Sequence, residues 1–417
     1  MNRILASLLL TTLATTAADW PQWRGPNRDG ISKETGLLKS WPEAGPALPW
    51  KATGMGVGYS SVAVSKGRIY TMGDVGDAAV VLALDEKTGK ILWTTPIGAP
   101  YPQDKSRPGT RSTPTVDGDL LFALDPHGNL VCLETATGKE RWKKNLSSDF
   151  RGQMMSGWRY SESPLVDGEK VLTTPGGPSG AVVALDRKTG ATVWQSKAVS
   201  DKAGYSTIAP AEILGVKQYV QLTGSSVFGL ATGSGDVLWR AERVGKTAVI
   251  PTPIVSGAQI YVTSGYGVGC NAFAVAKDSG GFKATELWLD ADGSRPMAGN
   301  MVNHTGGVIL LDGYLYGHSD KGGYTCQNFK TGKTEWSKSV NAKGSVTCAE
   351  GMLYFRSDGR AGTVTLVEAT PKAYVEKGQF DQPDRSSFNS WAHPVVANGK
   401  LYLRDMDVLL CYDVKAK

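Results

Sequence analysis

The sequence is poor in cysteine and histidine, and their arrangement excludes several kinds of cofactor site. Its 417 residues contain five cysteines and four histidines. The cysteines form no CxxC motif, no CxxCH motif and no adjacent pair, so neither a zinc knuckle nor a covalently attached c-type haem is encoded. HExxH, GxSxG and a GxGxxG leading into a helix are missing as well. We expect no metal site, and we expect the cysteines to be small, buried structural residues.

Clusters of like charge and long apolar runs are absent after the first residues. The formal net charge of +6 comes from lysines and arginines dispersed along the chain, which does not favour nucleic acid as a partner. No stretch after residue 18 approaches the roughly 20 apolar residues of a transmembrane helix. Residues 1–18 have one positive charge at Arg3, then an apolar stretch and small residues, the pattern of a secretory signal peptide. No cysteine follows them closely, so we expect a periplasmic or secreted protein without a lipid anchor.

One short motif recurs and indicates a repeat architecture. The stretch ALDEKTGKILW at 83–93 has an apolar run, an acidic residue, a Thr-Gly turn and a final Trp93. It lacks the first glycine of a phosphate-binding loop, because Leu84 stands five residues before Gly89. Successive copies place their tryptophans 45 to 52 residues apart, a spacing typical of repeat proteins. The tryptophans of the motif are Trp93, Trp142, Trp194, Trp239, Trp288 and Trp336.

A second element precedes the tryptophan motif and predicts the strands of a blade. It is an alternating apolar run, a turn glycine and another apolar run, and the glycines lie at 67, 118, 168, 215, 257, 313, 351 and 399. Four antiparallel strands repeated radially form a propeller blade. We therefore predict an all-β, eight-bladed propeller over residues 46–417, preceded by an N-terminal extension at 19–45. The last unit has only three strands, so a strand containing Trp50 is expected to complete it.

These copies, their number and their spacing resemble the pyrroloquinoline-quinone (PQQ) type of propeller repeat over roughly residues 46–414. The stretches WPQWRGPNRDGIS at 20–32 and SWAHPVVANGKLYLRD at 390–405 are similar to a group of secreted bacterial propellers. The resemblance implies one of two branches: quinoprotein alcohol dehydrogenases, or non-catalytic propellers such as the scaffold lipoprotein of the outer-membrane β-barrel assembly machinery. The dehydrogenases hold PQQ beside a calcium ion, under a ring of two adjacent bonded cysteines and above a tryptophan. Since no cysteines are adjacent here, we favour the binding or scaffold branch, with PQQ and Ca²⁺ as the alternative.

Candidate binding residues lie where inter-blade loops run into the first strand of a blade, because these positions meet at one mouth of the channel. Arginines there would pair with carboxylates and aromatic rings would stack on a planar ligand. A mouth that is polar only to satisfy strand ends is the alternative interpretation. The candidates are Tyr59, Arg111, Arg159, Tyr160, Glu162, Tyr205, Asn303, His304, Trp391 and His393.

Three of these candidates have side chains suited to proton transfer. His304, His393 and Glu162 are the candidate catalytic residues, and a polysaccharide-active enzyme is a second alternative. Sequence does not determine whether these side chains meet. We expect a monomeric binding protein rather than an enzyme, with a protein, peptide or glycan as its partner at the loop face.

Overall fold

A ring of eight antiparallel sheets surrounds a central channel. The computed structural model describes residues 19–101, 107–288 and 301–416, so the predicted signal peptide lies outside the described residues. Seven sheets contain four strands that are consecutive in the sequence, one of them with a fifth strand from the N-terminal segment, and the eighth combines three C-terminal strands with one N-terminal strand. The predicted all-β, eight-bladed propeller is therefore confirmed.

The strands are short, and the first strand of each blade is the innermost. Two strands precede the first complete blade: β1 (Ile31–Ser32) and β2 (Trp50–Ala52). Blades one to four consist of β3 (Ala63–Ser65), β4 (Arg68–Val75), β5 (Ala78–Asp85), β6 (Ile91–Gly98), β7 (Thr115–Asp117), β8 (Leu120–Leu124), β9 (Asn129–Glu134), β10 (Glu140–Asn145), β11 (Leu165–Asp167), β12 (Lys170–Thr173), β13 (Val183–Asp186), β14 (Thr192–Gln195), β15 (Ala209–Ile213), β16 (Val216–Leu222), β17 (Ser226–Ala231) and β18 (Val237–Glu242).

The second half of the ring repeats this order. Its strands are β19 (Ile254–Ser256), β20 (Gln259–Ser264), β21 (Gly269–Asp278), β22 (Gly281–Glu286), β23 (Ile309–Leu311), β24 (Tyr314–Ser319), β25 (Gly323–Asn328), β26 (Thr334–Lys338), β27 (Gly344–Ala349), β28 (Met352–Ser357), β29 (Val364–Glu368), β30 (Glu376–Phe380), β31 (Val395–Ala397), β32 (Lys400–Asp405) and β33 (Val408–Asp413). In the described part of the chain the one helix is α1 (Leu146–Phe150), on the connection between blades two and three.

The N-terminal strand closes the ring. β2 pairs antiparallel with β33, with Trp50 opposite Cys411, so the last blade contains strands from both ends of the chain. The closure predicted from the incomplete last unit is therefore confirmed. Because every blade then has four strands and both neighbours, the sheet edges that remain are the short outer strands.

The repeat tryptophans join neighbouring blades. Six of them donate the indole N–H to a backbone carbonyl in the hairpin turn of the next blade: Trp50 to Glu86 (3.2 Å), Trp93 to Thr135 (3.1 Å), Trp142 to Arg187 (3.0 Å), Trp194 to Thr232 (3.3 Å), Trp288 to Lys330 (3.2 Å) and Trp336 to Thr370 (2.7 Å). Trp239 instead bonds to Gln218 of its own blade at 2.6 Å. Blade five has no Thr-Gly turn to receive Trp239, since its hairpin is longer and turns at Ser279 and Gly280.

Residues 20–32, part of the predicted extension, cross the channel and plug it. Trp20 forms a backbone bridge with Val64 in the middle of β3, and Ile31 in β1 pairs with Cys348 of β27. Between these points the guanidinium of Arg24 donates to Val308 of blade six, and that of Arg28 donates to Ser163 and Pro164 at the start of blade three. The plug therefore contacts inner strands on widely separated blades.

Candidate functional site

One mouth of the channel forms a cavity that we call the aromatic cup. It contains about 730 Å³ of space between atoms, part of which is open to solvent. Its walls come from the loops that run into the first strands of seven blades, and its floor comes from the plug. The lining residues are Trp23, Tyr59, Arg111, Trp158, Ser161, Ser163, Tyr205, Thr207, Ile250, His304, Thr305 and Trp391.

Aromatic rings form a continuous wall on one side of the cup. The rings of Trp158 and Trp391 stack with centroids 6.4 Å apart and an interplanar angle of 27°. Tyr205 stacks on Trp158 at 6.1 Å, and Tyr59 lies 4.5 Å from Trp391. The guanidinium of Arg107 lies 5.4 Å and 5.3 Å from the two indole centroids, within cation–π distance. The wall offers flat apolar faces beside a positive charge.

Arg111 and Tyr59 contribute polar atoms that lack protein partners. The Arg111 guanidinium donates to the carbonyls of Arg107, Gly109 and Trp158, which leaves its Nε buried and unpaired among the described residues. Burial lowers the pKa of Arg111. Tyr59 is 5% exposed, and its hydroxyl is also buried without a partner in the described chain. Burial raises the pKa of Tyr59 to about 12, so the hydroxyl keeps its proton. Buried donors without acceptors are costly, and both residues line a cavity.

His304 lies on the opposite side of the cup in a small charged cluster. Its Nδ1 is 3.0 Å from Oδ2 of Asp320 and 2.8 Å from Nζ of Lys343. The ring of Tyr266 lies 4.5 Å away and continues the wall toward Trp158. Although burial opposes ionisation of Asp320, the hydrogen bond from His304 and the charge of Lys343 lower its pKa. The cluster is therefore an imidazole oriented by an ionised carboxylate.

The structure brings five of the ten predicted residues into the cup: Tyr59, Arg111, Tyr205, His304 and Trp391. The other five do not line it. Arg159 is exposed, and the Tyr160 hydroxyl donates to Pro175 within the blade. The Asn303 amide is occupied by the backbone of Gly306 and His318.

His393 and Glu162, two of the three proposed catalytic residues, are buried outside the cup. The Nε2 of His393 bonds to the carbonyl of Thr305 at 3.0 Å, and its ring packs on Trp23 at 4.4 Å. Burial lowers the pKa of His393 to about 3, so its imidazole is neutral. The Glu162 carboxylate accepts hydrogen bonds from Thr173 and Thr174 behind the wall. Of the three, only His304 lies in the cup.

Glu162 gives a pH dependence of stability. Its side chain is 2% exposed, and burial raises its pKa from 4.5 to about 7. The folded state thus holds the proton more tightly than the unfolded chain, so stability is lost as pH rises from about 4.5 to about 7. Relative to Glu162→Gln, we expect the wild type to lose about 2–3 kcal/mol of unfolding free energy between these pH values. Denaturant unfolding of both proteins at pH 5 and pH 8 measures this, and an equal difference at the two pH values would contradict it.

Sequence reasoning missed seven of the twelve lining residues, two of them aromatic, and also the arginine that lies over the aromatic wall. Trp23 belongs to the plug, and no periodic pattern indicates that an N-terminal segment folds into the channel. Trp158 and Arg107 lie in variable inter-blade loops. The sequence around Trp158 could have indicated its role, because an isolated tryptophan lies near two methionines in an otherwise polar loop.

The residues of the cup do not fit a calcium–quinone site. Such a site needs a carboxylate and an amide for calcium, and none of the lining residues carries either group. Glu162 and Asn303, the nearest candidates by sequence, are hydrogen-bonded away from the cup. The five cysteines are buried and unpaired in the blades, so the disulfide ring has no equivalent.

The part of the chain that the structure describes has neither a metal cluster nor a membrane-spanning helix. Residues 19–101, 107–288 and 301–416 contain no group of three or more His, Cys, Asp or Glu side chains arranged to hold a metal ion. Over the same residues, no helix has the length and apolar character needed to cross a membrane.

Comparison with known proteins gives relatives in both branches. Outer membrane protein assembly factor BamB of Shewanella oneidensis is 23% identical over 258 residues, which cover 60% of this chain and 62% of that protein. Quinoprotein ethanol dehydrogenase of Pseudomonas aeruginosa is 31% identical over 156 residues, covering 35% of this chain and 24% of that enzyme. The chain thus spans less than two thirds of the length of these relatives.

Solved structures show the same fold. BamB from Moraxella catarrhalis superposes with a TM-score of 0.59 at 16% identity, covering 89% of this chain and 98% of that one. Quinohemoprotein alcohol dehydrogenase from Comamonas testosteroni superposes with a TM-score of 0.65 at 13% identity, covering 96% and 81%. A family model described as "Outer membrane protein assembly factor BamB" matches residues 76–303, more than half of the chain. The chain belongs to this family of PQQ-type propellers.

Proposed function

We propose that this propeller is a binding module that holds an anionic ring-shaped ligand in the aromatic cup. One observation carries the proposal: Arg111 and Tyr59, each with a buried polar atom that lacks a partner among the described residues, line a cavity whose lining contains no carboxylate. An anionic ligand in this cavity would offset the buried positive charge of Arg111. The stacked faces of Trp158 and Trp391 would cover the ring that bears this anion.

A binding role agrees better with the cup than a dehydrogenase role does. The aromatic ring faces and the guanidinium groups can bind a ligand and fix its orientation, and they do so without a bound metal. The rigid blades hold the loops, and the plug supplies Trp23 as a floor, so the cup is preformed. A preformed site loses little conformational entropy when its ligand binds.

The relatives' names support a place near the outer membrane. BamB is named as an outer membrane protein assembly factor. By that analogy we propose that this module works in the periplasm, where the anionic ring would belong to a glycan or to a partner molecule that the propeller recruits.

The test is a binding screen with matched pairs of ligands. Aromatic carboxylates and uronates are compared with their neutral amides or esters, and binding is followed by calorimetry and by quenching of tryptophan fluorescence. We expect the anionic member of a pair to bind, and Trp391→Leu to weaken binding by about 10-fold because one stacking face is lost.

Trp50→Leu is the matched control, since Trp50 is a partly buried tryptophan of the blade that Trp391 leads into, outside the cup. It should leave affinity unchanged. If neutral members bind as tightly as anionic ones, or if both variants bind equally, the ligand does not occupy the cup as proposed.

A further inference from the structure

The aromatic wall of the cup continues beyond the cavity to an exposed tyrosine. The ring centroids of Tyr59 and Trp391 are 4.5 Å apart, and those of Trp391 and Trp158 are 6.4 Å apart. The next ring, Tyr266, lies 6.3 Å from Trp158 and does not line the cavity. Tyr59 is 5% exposed, whereas Tyr266 is 41% exposed. The wall is therefore a row of rings that leads from the inner part of the cup out to solvent.

Tyr266 has an unfavourable backbone conformation at the outer end of this row. It lies in the turn between β20 and β21 with a φ angle of 55°, in the left-handed region that favours glycine and asparagine. Among the described residues it is the one aromatic residue with a positive φ. Full burial of the ring does not offset this strain, because the side chain is exposed. A strained, exposed ring in line with a cavity indicates a contact with a ligand.

The bottom of the cup is closed. The plug crosses the channel, and its Trp23 lines the cavity and packs on the ring of His393 with centroids 4.4 Å apart. A long ligand that entered the cup would thus meet the plug with its end. The rest of the ligand would leave the cup along the row of rings, over Tyr266.

Positive charge lies toward the inner end of the row. The guanidinium of Arg111 is 5.8 Å from the centroid of the Tyr59 ring, and that of Arg107 is 5.3 Å from the centroid of the Trp391 ring. The lining residues include no carboxylate that would balance these charges. Charge complementarity therefore places an anionic group of the ligand at the inner end.

Side chains that suit sugar hydroxyls lie at the outer end. The ring of His304 is 4.5 Å from that of Tyr266. The Nδ1 of His304 is 3.0 Å from the carboxylate of Asp320 and 2.8 Å from the ammonium of Lys343, and both of these side chains are partly exposed. A carboxylate and an ammonium beside an aromatic ring offer acceptors and donors to the hydroxyls of a sugar that stacks on that ring.

We propose that the cup binds the end of a linear acidic glycan, with a terminal uronate beside the two arginines and the next sugars stacked outward over Trp158 and Tyr266. The inference rests on the proposed function, because it uses the same cup and the same positive charge. Every ring of a linear glycan has apolar C–H groups, so a row of aromatic rings can stack on several sugars in succession. An extended peptide would instead direct successive side chains to opposite sides and leave backbone N–H and C=O groups against aromatic rings.

The first experiment measures how affinity and stoichiometry depend on chain length. The full chain is titrated by calorimetry with galacturonate, its linear oligomers and de-esterified polygalacturonate. We expect affinity to rise by about 5-fold for each added ring up to about three rings, and then to level off, because each stacked ring adds one contact. We expect the number of bound proteins to follow the number of chain ends, because only an end fits a closed cup. A number that rises with the length of the polymer would overturn the recognition of chain ends.

Tyr266→Asn removes the outer ring without straining the turn, since asparagine adopts the left-handed conformation readily. We expect it to lower the affinity for the trimer by about 5- to 10-fold and to leave the affinity for the monomer unchanged. Thermal stability should stay the same or rise, so a misfolded turn does not explain the loss.

Phe388→Ala is the matched control. Phe388 is a partly buried aromatic residue of a separate cavity beside the loop that leads into blade eight. It should change the affinity for neither the monomer nor the trimer. If Phe388→Ala weakens trimer binding and Tyr266→Asn does not, the glycan does not follow the row of rings and the inference is wrong.

The remaining outcomes separate this inference from the proposed function. If the monomer binds and longer oligomers bind no more tightly, the cup is a site for a single ring and the glycan chain is wrong. If peptides with aromatic residues and a free C-terminal carboxylate bind in a Tyr266-dependent manner while oligogalacturonates do not bind, the class of ligand is wrong. If no anionic ring binds, the proposed function fails together with this inference.

Discussion

Trp142→Ala is expected to lower the free energy of unfolding by about 3–5 kcal/mol, the usual cost of truncating a buried large aromatic side chain. Trp142 is 8% exposed, and its ring packs on Phe122 of its own blade with centroids 5.9 Å apart. It also contacts Gly190 in the hairpin turn of the next blade. Truncation would open a cavity in the cluster that joins blades two and three. Denaturant unfolding of the variant and the wild type measures the difference.

The indole N–H and the apolar ring of Trp142 each contribute to the free energy of unfolding, and a second variant separates the two contributions. Trp142→Phe keeps most of the apolar surface but leaves the Arg187 carbonyl without its donor, so we expect a loss of about 1–2 kcal/mol. Ligand affinity should stay unchanged in both variants, because Trp142 does not line the cup. A loss below about 1 kcal/mol for Trp142→Ala would mean that the contact between blades contributes little to stability.

The partner glycine offers a matched test of the same contact. Gly190 and Gly215 have nearly equal φ angles of 71° and 75°. A Cβ added at Gly190 would lie 2.8 Å from the Trp142 ring, whereas one at Gly215 meets nothing within 4 Å. Alanine at either position should lower the free energy of unfolding by about 1–2 kcal/mol, because a residue with a Cβ is strained in the left-handed conformation. Only Gly190→Ala should cost about 1–3 kcal/mol more, from overpacking against Trp142.

The fold could be predicted because its cause is local and repeated. Each Thr-Gly turn, acidic residue and tryptophan lies within a dozen residues, and the same arrangement recurs around the ring. Because the blades are related by rotation around the channel, the residues just before each inner strand all lie at the same mouth of the channel. Arg111, Tyr205, His304 and Trp391 could therefore be assigned to one site from the sequence.

The remaining site residues could not be predicted, because their placement depends on side-chain direction and on a distant segment. Ser161 and Ser163 line the cup, so Glu162 between them points to the other side of the extended chain. His393 follows Trp391 by two residues, yet it packs against Trp23 instead of solvent. Trp23 reaches it from the plug, hundreds of residues earlier in the chain, and neither contact leaves a pattern in the sequence.

Arg111→Leu is expected to lower the affinity for an anionic ring ligand by about 100-fold or more, while the free energy of unfolding changes far less. A charge-assisted pair with a carboxylate contributes several kcal/mol when it is shielded from water, and leucine offers no donor. In the free protein the same guanidinium opposes folding, because burial lowers its pKa and its Nε has no hydrogen-bond partner among the described residues. The stability lost with its bonds to the Arg107, Gly109 and Trp158 carbonyls is thus offset by removal of a buried charge.

Arg111→Lys separates charge from geometry. Lysine keeps the positive charge but loses the planar fork, so we expect affinity between that of the wild type and that of Arg111→Leu. Calorimetric titration with the uronate or aromatic carboxylate that the wild type binds gives the affinities, and chemical unfolding gives the stabilities. A large loss of stability with unchanged affinity of the folded fraction would make Arg111 a structural residue of the mouth. Loss of affinity at nearly constant stability would instead mean that its buried charge is retained for a ligand, as expected where a binding site is kept at the expense of stability.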